Sequence, residues 1–421
     1  MVIERLTEPV PRTAEIWRDF GWPYFLNGVA SFLFSCTGPV AIILSVAIGG
    51  GLSQADIASW IFGSFAIGGT ITVLFCVLYR QPLSFAWTIP GTVMLASAFD
   101  HLSFEEIVGA FLVTGVLMTA IGFSGWVRRA MELTPMPIVM GMVAGVFLTF
   151  GIGLIQAFDG AVWIALPMVV AFLIPSSFPT LARALPPVVA AMLVGALAVM
   201  ATHTLLPGGE APRLIQSPNL YMPALSWKAM AELVIPLAVT VLVVQNGQGF
   251  AILQAAKHKP PMNAMTVACG VGSVLFGLVG SVSTCVTGPA NAVLASSGER
   301  NRQYTAGITY GVLGILFGVF SATTTWLALK LPPAYIATLG GLAILRVLQG
   351  SFVTAFRSRF TLGALITFLV TVSDVTIWNI GAPFWGLMFG FLVSWLLERE
   401  DFRELYRSLD AANEVETPES A

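Results

Sequence analysis

Two stretches of this chain, 199 positions apart (289 minus 90), coincide without a gap at Ser84/Ser283, Thr88/Thr287, Pro90/Pro289, Leu95/Leu294, Ala96/Ala295 and Ser97/Ser296. In both, a threonine stands two residues ahead of a proline inside an apolar segment. Threonine can accept from the free amides of a helix start, and proline suits the first helical position because it brings no amide of its own. Such a start presents spare N–H donors and up to about half a positive charge, so the chemistry on offer is the binding of an anion without lysine or arginine. Gln245-Asn246-Gly247-Gln248 places three amides in an otherwise aliphatic run. An unpaired amide at membrane depth costs several kcal/mol, so these side chains either tie helices together or meet substrate or water. Ser35-Cys36-Thr37-Gly38-Pro39 carries the same Thr-Gly-Pro triplet as Thr287-Gly288-Pro289 and reads as a local break or a simple kink. Phe34, Trp87 and Phe250 adjoin these segments and could supply flat apolar walls.

The scaffold that positions them has to be a membrane one. With 56% apolar and 10% charged residues and a mean hydropathy of +0.84, a soluble fold of 421 residues could not be covered by water. The first residues carry Glu4, Arg5, Glu8, Arg12, Arg18 and Asp19 and no short apolar run with a small-residue cleavage site, so no removable signal is expected. Cys36, Cys76, Cys269 and Cys285 lie in apolar stretches and read as packing residues; no metal site, cofactor or nucleic-acid partner is expected.

Apolar runs between charge and turn clusters predict fourteen spans: 23–48, 55–79, 84–98, 105–124, 134–155, 161–176, 185–206, 229–256, 262–280, 284–297, 303–325, 332–355, 361–377 and 382–397. The positive-inside rule tests this segmentation. Arg5, Arg12, Arg18, Arg80, Arg128, Arg129, Arg183, Lys257, Lys259, Arg300, Arg302, Arg357 and Arg359 fall on one side with the tail arginines 399, 403 and 407, against Arg213, Lys228 and Lys330 on the other. Both termini are therefore expected in the cytoplasm. Residues 1–22 form an inner segment, 207–228 an external loop and 398–421 an inner tail.

Seven crossings separate the two matched phrases, and an odd number reverses direction. Spans 1–7 (23–206) and 8–14 (229–397) are thus expected to be inverted repeats in an all-α membrane fold. A fifteen-residue helix covers roughly 22 Å of a hydrocarbon core of about 30 Å, so spans 3 and 10 must be broken. The prediction is extended backbone over 84–89 and 283–288, followed by half-helices from near Pro90 and Pro289 whose amino termini approach each other. Exposed backbone at that depth needs protein or a watery cavity around it.

The phrase from Val244 through Gln245-Asn246-Gly247-Gln248-Gly249-Phe250 to Ala256, followed by Pro260, together with Trp87-Thr88-Ile89-Pro90-Gly91, resembles the benzoate/proton symporter (BenE) family, with similarity over most of the chain. The resemblance implies the fourteen-helix inverted-repeat fold shared with uracil permeases and sulfate-type anion transporters, in the cell (inner) membrane. It implies a substrate-carrying core of 23–124 plus 229–325 and a gate of 134–206 plus 332–397, with a homodimer through the gate helices as the matching partner arrangement. It also implies uptake of an aromatic carboxylate such as benzoate together with protons. Carried onto this chain, substrate contacts fall at Thr88, Gly91 and Thr92, at Gln245, Asn246 and Gln248, and at Thr287, Ala290 and Asn291, with Thr37 and Trp87 beside them. Uracil permeases carry acidic residues where this chain has Gln245, Asn246 and Asn291, which favours an anion over a nucleobase.

The same lack of acids leaves the proton without an evident carrier. Glu232 and Asp374 are the candidates, both near the outer ends of spans. His101, His203 and His258 sit at or beyond helix ends, and Arg346, the one basic residue left inside a span, is expected to snorkel to the cytoplasmic face or pair with a gate residue. An intramembrane enzyme is disfavoured because there is no HExxH, no opposed aspartates and no serine with an embedded histidine. A carrier or channel for another anion, or a permease-like nucleobase carrier, stays open.

Overall fold

The computed structural model describes residues 3–6, 9–178, 185–207, 211–215, 217–378 and 380–416. Arg183, one of the basic residues expected on the inner side, lies outside the described residues, as do 208–210 and 216 of the external loop and 417–421 of the tail. Apolar segments fold as helices because hydrocarbon leaves the backbone no hydrogen-bond partner but itself. Among the described residues, Trp22–Gly49, Gln54–Tyr79, Phe104–Ser124, Met136–Ser177, Trp227–Ala255 and Pro333–Phe356 are long and apolar enough to cross a bilayer. Arg300–Val319 with Ser321–Ala328, bent by 72°, makes a seventh if taken as one span, and Pro187–Ala201, Met262–Leu278, Thr361–Ser373 and Ala382–Leu397 are shorter apolar helices.

The connection expected between spans 5 and 6 is reduced to a single break. Met136–Ser177 is two helices meeting at Ala161, whose backbone is non-helical (φ −149°, ψ 46°), directly after Asp159-Gly160. The first span does break at the Thr-Gly-Pro triplet: Trp22–Cys36 ends at Thr37 (φ −98°, ψ −96°) and Gly38–Gly49 begins again beyond it. The amide-bearing helix contains two π-helical stretches, Met230–Val234 and Thr240–Asn246. A π turn shifts the side-chain register of the helix beyond it, and the second stretch ends on Gln245 and Asn246.

The two broken segments meet. Strand β1 (Phe85–Trp87) pairs antiparallel with β2 (Thr284–Val286) in the register Phe85↔Val286, Ala86↔Cys285, Trp87↔Thr284. Thr88 N donates to Ser283 O (3.0 Å) and Thr287 N to Ser84 O (3.2 Å), extending the pair at both ends. Ala86 and Cys285, at its centre, are separated by the same offset as the matched phrases, so the strand pair is locally two-fold symmetric. Each strand has only one partner, and its outward amides would be orphans in a membrane. Side chains from surrounding helices accept them: Phe85 N donates to Thr72 Oγ1 (2.9 Å), Thr284 N to Ser273 Oγ (3.0 Å), Ser84 N to Asn291 Oδ1 (2.9 Å) and Val286 N to Asn246 Oδ1 (2.8 Å).

Small residues bring the helices around this pair close together. A Cβ at Gly311 would lie 2.7 Å from Gly69 O, and one at Gly115 would lie 2.7 Å from Gly270 O, so these helices touch backbone to backbone. Through such contacts Phe104–Ser124 packs on Met262–Leu278 and Tyr304–Val319 on Gly68–Tyr79 and Trp22–Cys36. A second set joins Met136–Ser177 to Pro187–Ala201, Pro333–Phe356 and Thr361–Ser373, the last also packed on Ala382–Leu397. Gly38–Gly49 touches the second set through Pro333–Phe356 and the first through Trp22–Cys36.

Candidate functional site

Each strand leads straight into a short helix, Ile89–Ala98 or Gly288–Ala295. Thr88 Oγ1 accepts from Gly91 N and Thr287 Oγ1 from Ala290 N, both at 3.2 Å, as expected of threonine at an N-cap. The second helical position is proline in both, so one early amide is absent by construction. The first amides, Ile89 N and Gly288 N, have no acceptor among the described residues. They are the spare donors that the Thr-x-Pro spacing calls for.

Beside these helix starts lies a cavity of about 560 Å³. One wall is made by Phe34, Ser35 and Pro39 at the break in the first span, by Ala86, Trp87, Ile89 and Pro90, by Val244, Gln245, Gly247, Gln248 and Ala251, and by Thr287 and Pro289. The facing wall consists of Met136, Met140, Val143 and Phe147 with Arg346, Val347, Gly350 and Thr354. Trp87 is fixed from behind by Phe65, whose ring centroid is 5.0 Å away, and Phe65 in turn by Phe317 at 4.6 Å. These tilted rings hold Trp87 in place at the cavity lining. The lining is mainly apolar, with a few polar groups and no carboxylate among the described residues.

Of the residues marked from the sequence, Trp87, Gln245, Gln248 and Thr287 line this cavity. Gln248 lies flat on the start of the second short helix: a Cβ at Gly288 would stand 2.5 to 2.6 Å from its Oε1, Cδ and Cγ. Seven others stand behind the wall in this conformation, for identifiable reasons. Thr37 turns its hydroxyl back to Leu33 O (2.9 Å) and Phe34 O (3.1 Å). Thr88 caps its helix, Thr92 donates to Thr88 O (2.9 Å), and Gly91 is pressed against Leu237. Asn246 and Asn291 commit their carbonyl oxygens to Val286 N and Ser84 N, while their Nδ2 donors remain buried without a partner among the described residues. Ala290 is fully buried, with its amide on Thr287 Oγ1 and its carbonyl accepting from Ser31 Oγ (3.3 Å).

Arg346 lies on the cavity wall, which sequence reasoning did not foresee. Its only advance signal was that it is a lone charge on an apolar helix. The proton candidates lie elsewhere. Glu232 is 3% exposed, and His101 Nε2 stands 2.7 Å from its Oε2. Gly381, at the start of Ala382–Leu397, covers the other carboxylate oxygen so closely that a Cβ there would lie 2.5 Å from Oε1. Asp374 is exposed, in a left-handed conformation (φ 52°) just after Ser373. Because 131 positions separate His101 from Glu232, their pairing had no local signature.

The sequence profile described as benzoate membrane transport protein (BenE) matches residues 19–396. The chain belongs to the BenE family. It is accordingly a membrane transporter, not an enzyme. Among curated relatives, the benzoate membrane transport protein of Acinetobacter baylyi is 28% identical over 388 residues, covering 90% of this chain and 96% of that one. The inner membrane protein YdcO of Escherichia coli K12 is 28% identical over 373 residues, covering 87% and 94%. The fold is that of solved anion transporters: the transmembrane domain of a cyanobacterial bicarbonate transporter, BicA, superposes with a TM-score of 0.61 at 15% identity, over 87% of this chain and 96% of that one. Murine Slc26a9 in its inward-facing state gives 0.57 at 12% identity, over 93% and 73%.

Proposed function

We propose that this BenE-family protein takes up an aromatic carboxylate such as benzoate, together with protons, by alternating access in the cell inner membrane. The observation that carries this reading is the cavity itself: an apolar lining that includes Phe34, Trp87 and Phe147, free of carboxylates among the described residues, together with the starts of two short helices. An apolar ring with one negative group matches both halves of that lining. Trp87, Gln245, Gln248 and Thr287 are the proposed direct contacts. Thr37, Thr88, Gly91, Thr92, Asn246, Ala290 and Asn291 complete the site by shaping the breaks and helix starts that hold them.

In the same reading the chain crosses the membrane fourteen times in two inverted repeats of seven, with both termini cytoplasmic. The core of 23–124 plus 229–325 moves against the gate of 134–206 plus 332–397, and two copies associate through the gate helices. The local symmetry at Ala86 and Cys285 supports the inversion, and the two sets of packed helices support the division. The cavity is lined at one end by Gly350, Thr354 and Ala251, close in sequence to the arginines and lysines expected inside, so this conformation reads as inward-facing. Glu232, with His101, and Asp374 are the candidates for carrying the proton.

Purified protein in liposomes tests the reading. Unlabelled benzoate inside should drive labelled benzoate inward, which a carrier does and a pore does not, and benzoate should raise thermal stability where uracil, sulfate and bicarbonate do not. Stabilisation by uracil alone would overturn the anion assignment. Stabilisation by bicarbonate or sulfate alone would transfer it to an inorganic anion.

A further inference from the structure

Among the residues lining the cavity, Arg346 is the one with a charge, and it has no acidic partner among the described residues. An unpaired guanidinium within an apolar helix is costly unless it faces a water-filled cavity or meets an anion. Its helix shows why it faces the cavity. Ala343, Arg346, Val347, Gly350 and Thr354 recur at helical spacing, and the last four line the cavity. Ala343, one turn before Arg346, packs directly on Gly38, at the break in the first span. The crossing of these two helices therefore puts Arg346 on the lining of the same cavity as Phe34, Ser35, Pro39 and the helix starts.

We propose that Arg346 is the specificity-determining countercharge of the transported carboxylate. This rests on the reading of the cavity as the site for an aromatic carboxylate. Arginine holds a carboxylate through two parallel N–H···O bonds, a geometry that a neutral amide or ester cannot match. The ring of the substrate lies against Trp87, and its carboxylate, held at the helix starts, is met from the other set of helices by Arg346. Because Arg346 stands on Pro333–Phe356, which packs with Met136–Ser177, while Trp87, Thr287 and Gln248 stand on the elements around the strand pair, the bound anion bridges the two sets of helices. Occupancy thereby favours their approach, and a neutral ring compound fills the cavity without drawing them together.

The test compares benzoate with benzamide, a neutral analogue of similar shape, by calorimetry on the full-length wild type and on R346Q and R346K. Wild type should prefer benzoate, R346Q should lose about tenfold in benzoate affinity (~1.4 kcal/mol) with benzamide unchanged, and R346K, which keeps the charge without the two parallel bonds, should recover part of the loss. R346Q binding benzoate as wild type does, with the preference over benzamide intact, would overturn the countercharge. Wild type binding no benzoate would overturn the underlying reading as well. A measurement on the wild type alone covers the case of a variant that does not fold. Phenylglyoxal should modify Arg346 unless benzoate is present, with benzamide giving no protection and Arg359, a surface residue, reacting in every case. Full modification of Arg346 at saturating benzoate would reject the proposal.

Discussion

Asn291 separates bracing from binding most sharply. It is fully buried, and its Oδ1 accepts from both Ser84 N (2.9 Å) and Ser84 Oγ (2.6 Å), tying the second short helix to the chain entering the first strand. Its Nδ2 has no partner among the described residues, so replacing the side chain by leucine sacrifices nothing there. What is lost is the acceptor. A buried donor left unsatisfied costs about 1–3 kcal/mol. The Ser84 amide is fixed by the strand and bears that cost in full, while the hydroxyl can rotate and bears part of it, so Asn291→Leu is expected to destabilise the protein by about 2–4 kcal/mol. The thermal midpoint in detergent should fall by several degrees. Benzoate affinity of the folded fraction, measured by calorimetry below that midpoint, should stay within about threefold (~0.7 kcal/mol), since Asn291 stands behind the cavity wall. Gln248→Leu should do the reverse, leaving the midpoint near wild type and weakening benzoate, because its side chain lines the cavity. An Asn291→Leu protein as stable as wild type but unable to bind benzoate would refute the bracing role and make Asn291 a direct contact.

Gly288→Ala should cost the fold less than about 1.5 kcal/mol, because the clash falls on the flexible end of Gln248, yet it should reduce benzoate affinity by turning that amide out of place; unchanged affinity would show that Gln248 does not touch substrate. Glu232→Gln removes one partner of the buried pair with His101, and uptake driven by a pH gradient should fail while benzoate counterflow persists; gradient-driven uptake at the wild-type rate would release Glu232 from proton transfer. His258, in the loop after Ala255, is buried and hydrogen-bonded to Gln303 (2.7 Å), and burial holds its pKa below the ordinary histidine range. The unfolded chain therefore binds the proton more readily, and this residue's contribution to stability is present above about pH 6.5 and lost as pH falls below it. His258→Gln should flatten that part of the stability profile, read as thermal midpoint against pH.

The helix starts were legible because their causes are local. Thr88 and Thr287 cap, and Pro90 and Pro289 come two residues later, for reasons contained in four consecutive residues, and the extended backbone before them was implied by a segment too short to cross as a helix. The break at Thr37 was legible for the same reason. The break at Ala161 was signalled by Asp159-Gly160 just before it, but that the helix before and the helix after would meet there without a longer loop was not. Asn246 was read as one of three amides needing a partner at depth and Asn291 as a substrate contact, but the backbone amides that their carbonyl oxygens accept from, Val286 N and Ser84 N, lie 40 and 207 positions away. The place of Arg346 on the cavity and the His101–Glu232 pair were missed on the same ground: a side chain's neighbours depend on which helix crosses its own.

By itself the sequence determined what hydropathy, charge and short-range stereochemistry can dictate: a membrane-embedded chain, apolar segments in alternation with basic connections, and two matched helix starts rich in donors and poor in acids. Tertiary structure alone decided what those starts face. It paired the strands, assigned the buried carbonyl oxygens of Asn246 and Asn291 to bracing, set Trp87 against Phe65 and put Arg346 on the cavity lining. Such choices depend on contacts between segments that are not adjacent in sequence, and hydrocarbon makes them stringent because a buried polar group without a partner is costly there.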